Sequence, residues 1–145
     1  MFSSENYSLG EYYFKENEPE QAIPYLRLAM TEESVDKMVY NYLGLCYYQI
    51  GKYQDSLDTF LKGTTVSGTN KRQLFFNAGN SAFSLGQFDK AVEFYSYSLA
   101  ADSGFSGAVL NRGNAYFNLV QYKNAITDYY KYLELEPNSD QKEMI

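Results

Sequence analysis

Four glycines, Gly10, Gly44, Gly79 and Gly113, stand 34, 35 and 34 residues apart, and each sits at the same point of a recurring block. A fixed period of that length is the mark of a repeated supersecondary unit, because a chain with one irregular core has no reason to return to the same residue types at constant intervals. Downstream of the last three glycines run Tyr53-Gln54-Asp55-Ser56, Phe88-Asp89-Lys90-Ala91 and Tyr122-Lys123-Asn124-Ala125, and a further aromatic follows in Phe60, Tyr95 and Tyr129. The first block keeps Leu9-Gly10 and Tyr13 and then Ala22, Leu26 and Ala29. Four blocks fill the 145 residues.

Within each block, apolar residues recur at three- and four-residue intervals over two stretches of about a dozen residues. Short breakers part the two stretches: Asn17-Glu18-Pro19, Gly51-Lys52, Gly86-Gln87 and Val120-Gln121. The spacing predicts first helices over 4–16, 37–50, 71–85 and 106–119, and second helices over 20–31, 53–65, 88–100 and 122–135. The glycine lets the second helix come close, and Ala22, Ser56, Ala91 and Ala125 supply an equally small partner. The 18% aromatic content, 16 Tyr and 10 Phe, is then explained as filling between successive pairs.

The pattern resembles the tetratricopeptide repeat, an aromatic-x-x-Leu-Gly-x-x-Tyr block followed by Ala, Phe and Pro. The second copy carries it as Tyr40, Leu43, Gly44, Tyr47, Gly51, Tyr53, Ser56 and Phe60, and the fourth as Gly113, Tyr116, Tyr122, Ala125, Tyr129 and Pro137. The position commonly held by Trp carries Asn6, Tyr40, Phe75 and Val109, and the first copy has Asn17 and Pro19 where Gly and Tyr are common. The resemblance implies an all-α, right-handed superhelical solenoid of antiparallel helix pairs. It implies one domain over 1–145 with repeats near 3–36, 37–71, 72–105 and 106–138. Residues 139–145 read as the start of a truncated capping helix.

Several function classes are disfavoured. With no histidine the chain lacks the usual neutral-pH general base and the commonest zinc ligand, and its single cysteine, Cys46, cannot form an intrachain disulfide. Cys46 follows Gly44 at a small-residue position and reads as a structural thiol. A net charge of −6 repels phosphate backbones and anionic lipid, so no nucleic-acid partner is expected. No apolar run reaches the roughly 18 to 20 residues that span a bilayer, so no direct membrane insertion is expected. No catalytic residue, metal site or cofactor is assigned. The compartment is not set by the sequence: cytoplasmic is the default, extracytoplasmic if a leader or anchor has been removed.

The resemblance places the ligand surface on the first helices, which line a concave groove. Counting round each helix from its glycine gives a wall of aromatics and amides: Asn41, Tyr42 and Tyr48, then Phe76, Asn77, Asn80 and Phe83, then Leu110, Asn111, Asn114, Phe117 and Asn118. An asparagine offers one acceptor and two donors, so stacked asparagines can bond an extended peptide backbone without reading its side chains. The alternative is that Asn77 and Asn111 bond neighbouring helices. Related domains grip acidic chaperone tails with a two-carboxylate clamp of cations and asparagines. The corresponding positions here, Tyr7, Glu11, Tyr42, Gln73 and Asn77 or, shifted by one copy, Asn41, Leu45, Asn77, Gly107 and Asn111, hold no cation in either register, so an acidic tail is not the expected partner. The expected function is a protein-interaction scaffold. The rivals are a self-associating assembly module, using an exposed stripe of Ile126, Tyr129, Tyr130 and Leu133 to form a homo-oligomer, and a repeat domain cut from a larger protein.

Overall fold

In the computed structural model the described residues are 4–138, and all of their regular structure is α-helical. Eight helices alternate in type: α1 (Glu5–Lys15), α2 (Pro19–Met30), α3 (Val39–Gln49), α4 (Tyr53–Thr64), α5 (Lys71–Ser84), α6 (Phe88–Ala101), α7 (Ser106–Asn118) and α8 (Tyr122–Leu135). The chain divides into two compact units, Met1–Asn70 with α1 to α4 and Lys71–Ile145 with α5 to α8. The extension expected over 139–145 lies outside the described residues.

Each helix starts and stops for local reasons. Ser4 caps α1 by accepting from the Tyr7 N–H at 2.9 Å, and Pro19 opens α2 where its missing N–H costs nothing. The turn inside each pair reverses the chain through one left-handed residue: Asn17 (φ 59°), Gly51 (φ 80°), Gly86 (φ 75°) and Val120 (φ 62°). Glycine adopts that conformation freely and asparagine with little strain, whereas a β-branched side chain does not. Val120 is also 67% exposed, so it gains little from burial in return. Val120→Gly, which copies the two middle repeats, is expected to raise the unfolding free energy by about 1 kcal/mol, read as a higher urea midpoint at unchanged slope.

In the first unit Ala22, Leu26, Val39, Leu43, Cys46 and Phe60 are fully buried or nearly so. Burial pushes the Cys46 thiol up to about 11, as an inert structural cysteine requires. In the second unit Tyr95 is 1% exposed and packs with Ala82, Ala91 and Ala115, while Leu99, Ala108, Val109 and Tyr132 form a second cluster between α6, α7 and α8.

Two features of the second unit position α7. Arg72 Nη1 bonds Asp102 Oδ2 at 3.0 Å with its guanidinium 4.8 Å over the Phe105 ring, fixing the loop that precedes the helix. Inside the last pair, Arg112 Nε and Nη2 donate to the two Asp128 carboxylate oxygens at 2.8 and 2.7 Å, and Arg112 Nη1 donates to Ser96 Oγ at 3.2 Å. One guanidinium thereby ties α7 to both α8 and α6.

Candidate functional site

The predicted wall residues fall in both units, and each unit has its own arrangement. In the first, Tyr42 is half-buried and packs between two rings of α1, 4.5 Å from Phe14 and 6.3 Å from Tyr7. Tyr7, one of the positions corresponding to the carboxylate clamp, is 5% exposed, and its hydroxyl donates to Glu11 Oε2 at 3.1 Å. Burial first, then the carboxylates of Asp36 and Glu11, raises its pKa above the ordinary tyrosine value. Lys15 Nζ lies 3.6 Å from the same Glu11 oxygen. Asn41 is half-buried, and Tyr48 meets Tyr53 edge-on at 5.0 Å.

The second unit brings its predicted residues together more tightly. Asn80 Oδ1 accepts from the Tyr95 hydroxyl at 2.6 Å and from Asn111 Nδ2 at 3.0 Å, so one oxygen links α5, α6 and α7. One repeat on, Asn114 Oδ1 accepts from the Tyr129 hydroxyl at 2.7 Å. These bonds leave the Nδ2 groups of Asn80 and Asn114 and the Oδ1 of Asn111 free of partners among the described residues. Phe83 meets Phe88 edge-on at 5.0 Å and Phe117 leans on Tyr122 at 5.4 Å, the same contact as Tyr48 with Tyr53. Phe117 remains 54% exposed. Asn118 turns Nδ2 back to the Asn114 carbonyl at 2.8 Å.

Three expectations need correction. Asn77 is 5% exposed and its Oδ1 accepts from Gln73 Nε2 at 3.2 Å, so as it stands it presents little to a ligand. Phe76 is half-buried between Phe105 at 4.8 Å and Tyr95 at 6.0 Å, and Leu110 packs on the Leu99 cluster, so both serve largely as core. Tyr129 does not belong to the exposed stripe: its ring lies against Gly113 and its hydroxyl is bonded to Asn114. Burial, then the neighbouring Asp128, raises its pKa. Ile126 and Tyr130 are 52% and 66% exposed, and Leu133 is half-buried. The count from glycine missed the tyrosine hydroxyls and the Arg112–Asp128 pair.

Among the described residues no group of three or more His, Cys, Asp or Glu side chains could hold a metal, and no helix is long and apolar enough to cross a membrane.

Comparison with known proteins agrees with this architecture. Tetratricopeptide repeat profiles match residues 7–65, 73–103 and 108–139. RNA polymerase II-associated protein 3 of Homo sapiens is 31% identical over 107 residues, and the Rattus norvegicus protein 30%. The match covers 74% of this chain but only 16% of each of those proteins. Among solved structures, the crystal structure of MamA superposes with a TM-score of 0.84 at 24% identity, over 97% of this chain and 80% of MamA, a likeness of fold. The first TPR of Spaghetti (RPAP3) bound to the HSP90 peptide SRMEEVD superposes with a TM-score of 0.70 at 29% identity, over 74% of this chain and 85% of that one.

Proposed function

Because the chain belongs to the tetratricopeptide repeat family, whose members are protein-interaction modules and in general not enzymes, we propose that this scaffold holds an extended peptide against the face shared by α5 and α7. The observation that carries the reading is the Asn80–Asn111 bond between those two helices. It aligns two amides and fixes their orientation before any ligand arrives, leaving one donor-bearing nitrogen and one acceptor oxygen unspent. A peptide bond needs that pairing of an acceptor for its N–H and a donor for its carbonyl. Phe83 and the exposed Phe117 flank the amides and offer ring surface to the peptide's side chains.

The segment bound is neutral, aromatic or basic rather than an acidic tail. The clamp positions in the first unit hold Tyr7, spent on Glu11, and Glu11 itself, whose carboxylate repels another. In the second unit they hold Gln73 and Asn77, bonded to each other. A carboxylate drawn from water without a cation beside it loses more in desolvation than neutral donors return. The SRMEEVD peptide held by the RPAP3 relative is of the disfavoured kind.

Titration with fluorescent peptides chosen from an unbiased library tests this. Asn111→Ala, which leaves the Tyr95–Asn80 bond in place, is expected to weaken binding about tenfold, the worth of one or two lost hydrogen bonds. Phe117→Ala should weaken it several-fold, with both variants still folded and unfolding in one cooperative transition. Undiminished binding in both variants would overturn the site, and saturable binding of SRMEEVD would overturn the partner class.

A further inference from the structure

The repeat supplies its own template for what an α8 face is made to meet. On α6, Val92, Ser96 and Leu99 lie at the i, i+4, i+7 spacing of one helix face, and α7 covers them. Leu99 packs with Ala108 and Val109, Ser96 receives Arg112, and Val92 packs on the cluster that contains Ala115. One repeat later those three positions are Ile126, Tyr130 and Leu133 of α8. Among the described residues no helix follows to cover them, and Tyr130 is left 66% exposed.

The matching half lies at the other end of the sequence. Helix α1 is of the same type as α7 but has no described pair before it. Aligning Gly10 with Gly113 carries the contact residues Val109, Arg112 and Ala115 to Asn6, Leu9 and Tyr12. Tyr12 is 56% exposed and Leu9 half-buried.

We propose that α8 of one copy receives α1 of a second copy, repeating between molecules the contact that α6 makes with α7 inside one. The antiparallel pairing of the template sets Tyr130 on Leu9 and Ile126 on Tyr12. It also brings Lys123 opposite Glu16, an exposed cation against an exposed carboxylate. That charge match supports α1 as the occupant. The two faces differ, so the contact is head-to-tail, and two copies joined by one such contact still carry one face of each kind. A single helix face buries less than the about 1,200 Å² at which stable interfaces begin, so association is weak and grows with concentration. The contact uses neither Asn111 nor Phe117 and stands apart from peptide binding.

Sedimentation velocity of the full chain over a concentration series should show a weight-average mass that climbs past two copies. Ile126→Glu and Tyr12→Glu, both at residues more than half exposed and so harmless to the fold, should each weaken association at least tenfold. Orientation is read by mild oxidation. A mixture of the Tyr12→Cys and Ile126→Cys variants should give a disulfide dimer containing one of each, while either variant alone gives none, the buried Cys46 being silent. A mass of one chain at every concentration overturns the proposal. So does a disulfide dimer of the Ile126→Cys variant alone, which would put α8 on α8. A form ending at Asn138 that associates where the full chain does not would identify residues 139–145 as the cover and overturn it as well.

Discussion

Asp128→Ala should destabilise the protein by about 3–5 kcal/mol, among the largest losses any single substitution of a charged residue here produces. The Asp128 side chain is 4% exposed and the Arg112 side chain 20%, so the carboxylate has left water, the guanidinium has largely done so, and each is compensated mainly by the other. Removing the carboxylate strands a guanidinium whose Nε and Nη2 then point at nothing. Removing the guanidinium strands the carboxylate and also frees the Ser96 hydroxyl oxygen on α6. The pair itself need not be worth that much. In the third repeat the same two positions hold Ala78 and Phe94, so the interior of a pair can be built there without charge. The double variant Arg112→Ala, Asp128→Phe is therefore expected to recover most of the loss. Urea unfolding of Arg112→Ala, Asp128→Phe and the double variant closes the cycle. If the single losses simply add in the double variant, the two residues do not act as a pair.

Helix positions were legible in the sequence because the signal is local. Apolar spacing and the breakers at 17–19, 51–52, 86–87 and 120–121 place all eight helices within two residues of their observed ends. Packing between helices of a pair was legible too, since a glycine on one helix and a small residue at a fixed distance on the next mark a close approach of two backbones. Pairings between side chains were not, because they depend on two positions about fifteen residues apart whose meaning appears only jointly. Asn80 and Asn114 read singly as groove amides. Yet asparagine follows the glycine only where the downstream aromatic is a tyrosine, as with Asn80 and Tyr95 or Asn114 and Tyr129, and the second copy has Leu45 with Phe60. The hydroxyl and the amide arrive together because a buried phenol oxygen needs a partner. Arg112 and Asp128 gave the same kind of signal, each alone a surface charge, both together an ion pair in two positions that are apolar one copy earlier. Tyr129 was misread for a simpler reason: α8 carries apolar residues on two adjacent faces, and its own spacing does not say which of them meets Gly113.

Gly79→Ala should cost about 3 kcal/mol although alanine is the better helix former by roughly 1 kcal/mol, so the sign of the effect isolates helix approach from helix propensity. A Cβ built on Gly79 would run into Cε1 of the Tyr95 ring and lie 2.6 Å from Cδ1. That ring has nowhere to go: it is 1% exposed, wedged among Ala82, Ala91 and Ala115, and its hydroxyl is held by Asn80 at 2.6 Å. Relief requires α5 and α6 to separate, which thins the cluster and lengthens the hydroxyl bond that links α5 to α6. Gly113 provides the comparison inside the same unit. There the Cβ would meet Cε1 and Cδ1 of Tyr129 at 2.9 and 3.0 Å and Asp128 Cβ at 3.3 Å, a smaller overlap, and although the Tyr129 hydroxyl is also held by Asn114 its ring is only half-buried. Gly113→Ala should therefore fall within about 1 kcal/mol of the parent, propensity offsetting a modest displacement. Guanidinium unfolding of the two variants side by side measures the difference. Equal losses at the two glycines would mean that the backbone yields as readily around a fully buried ring as around a half-buried one, and that close helix approach is not what the 34-residue glycine period is for.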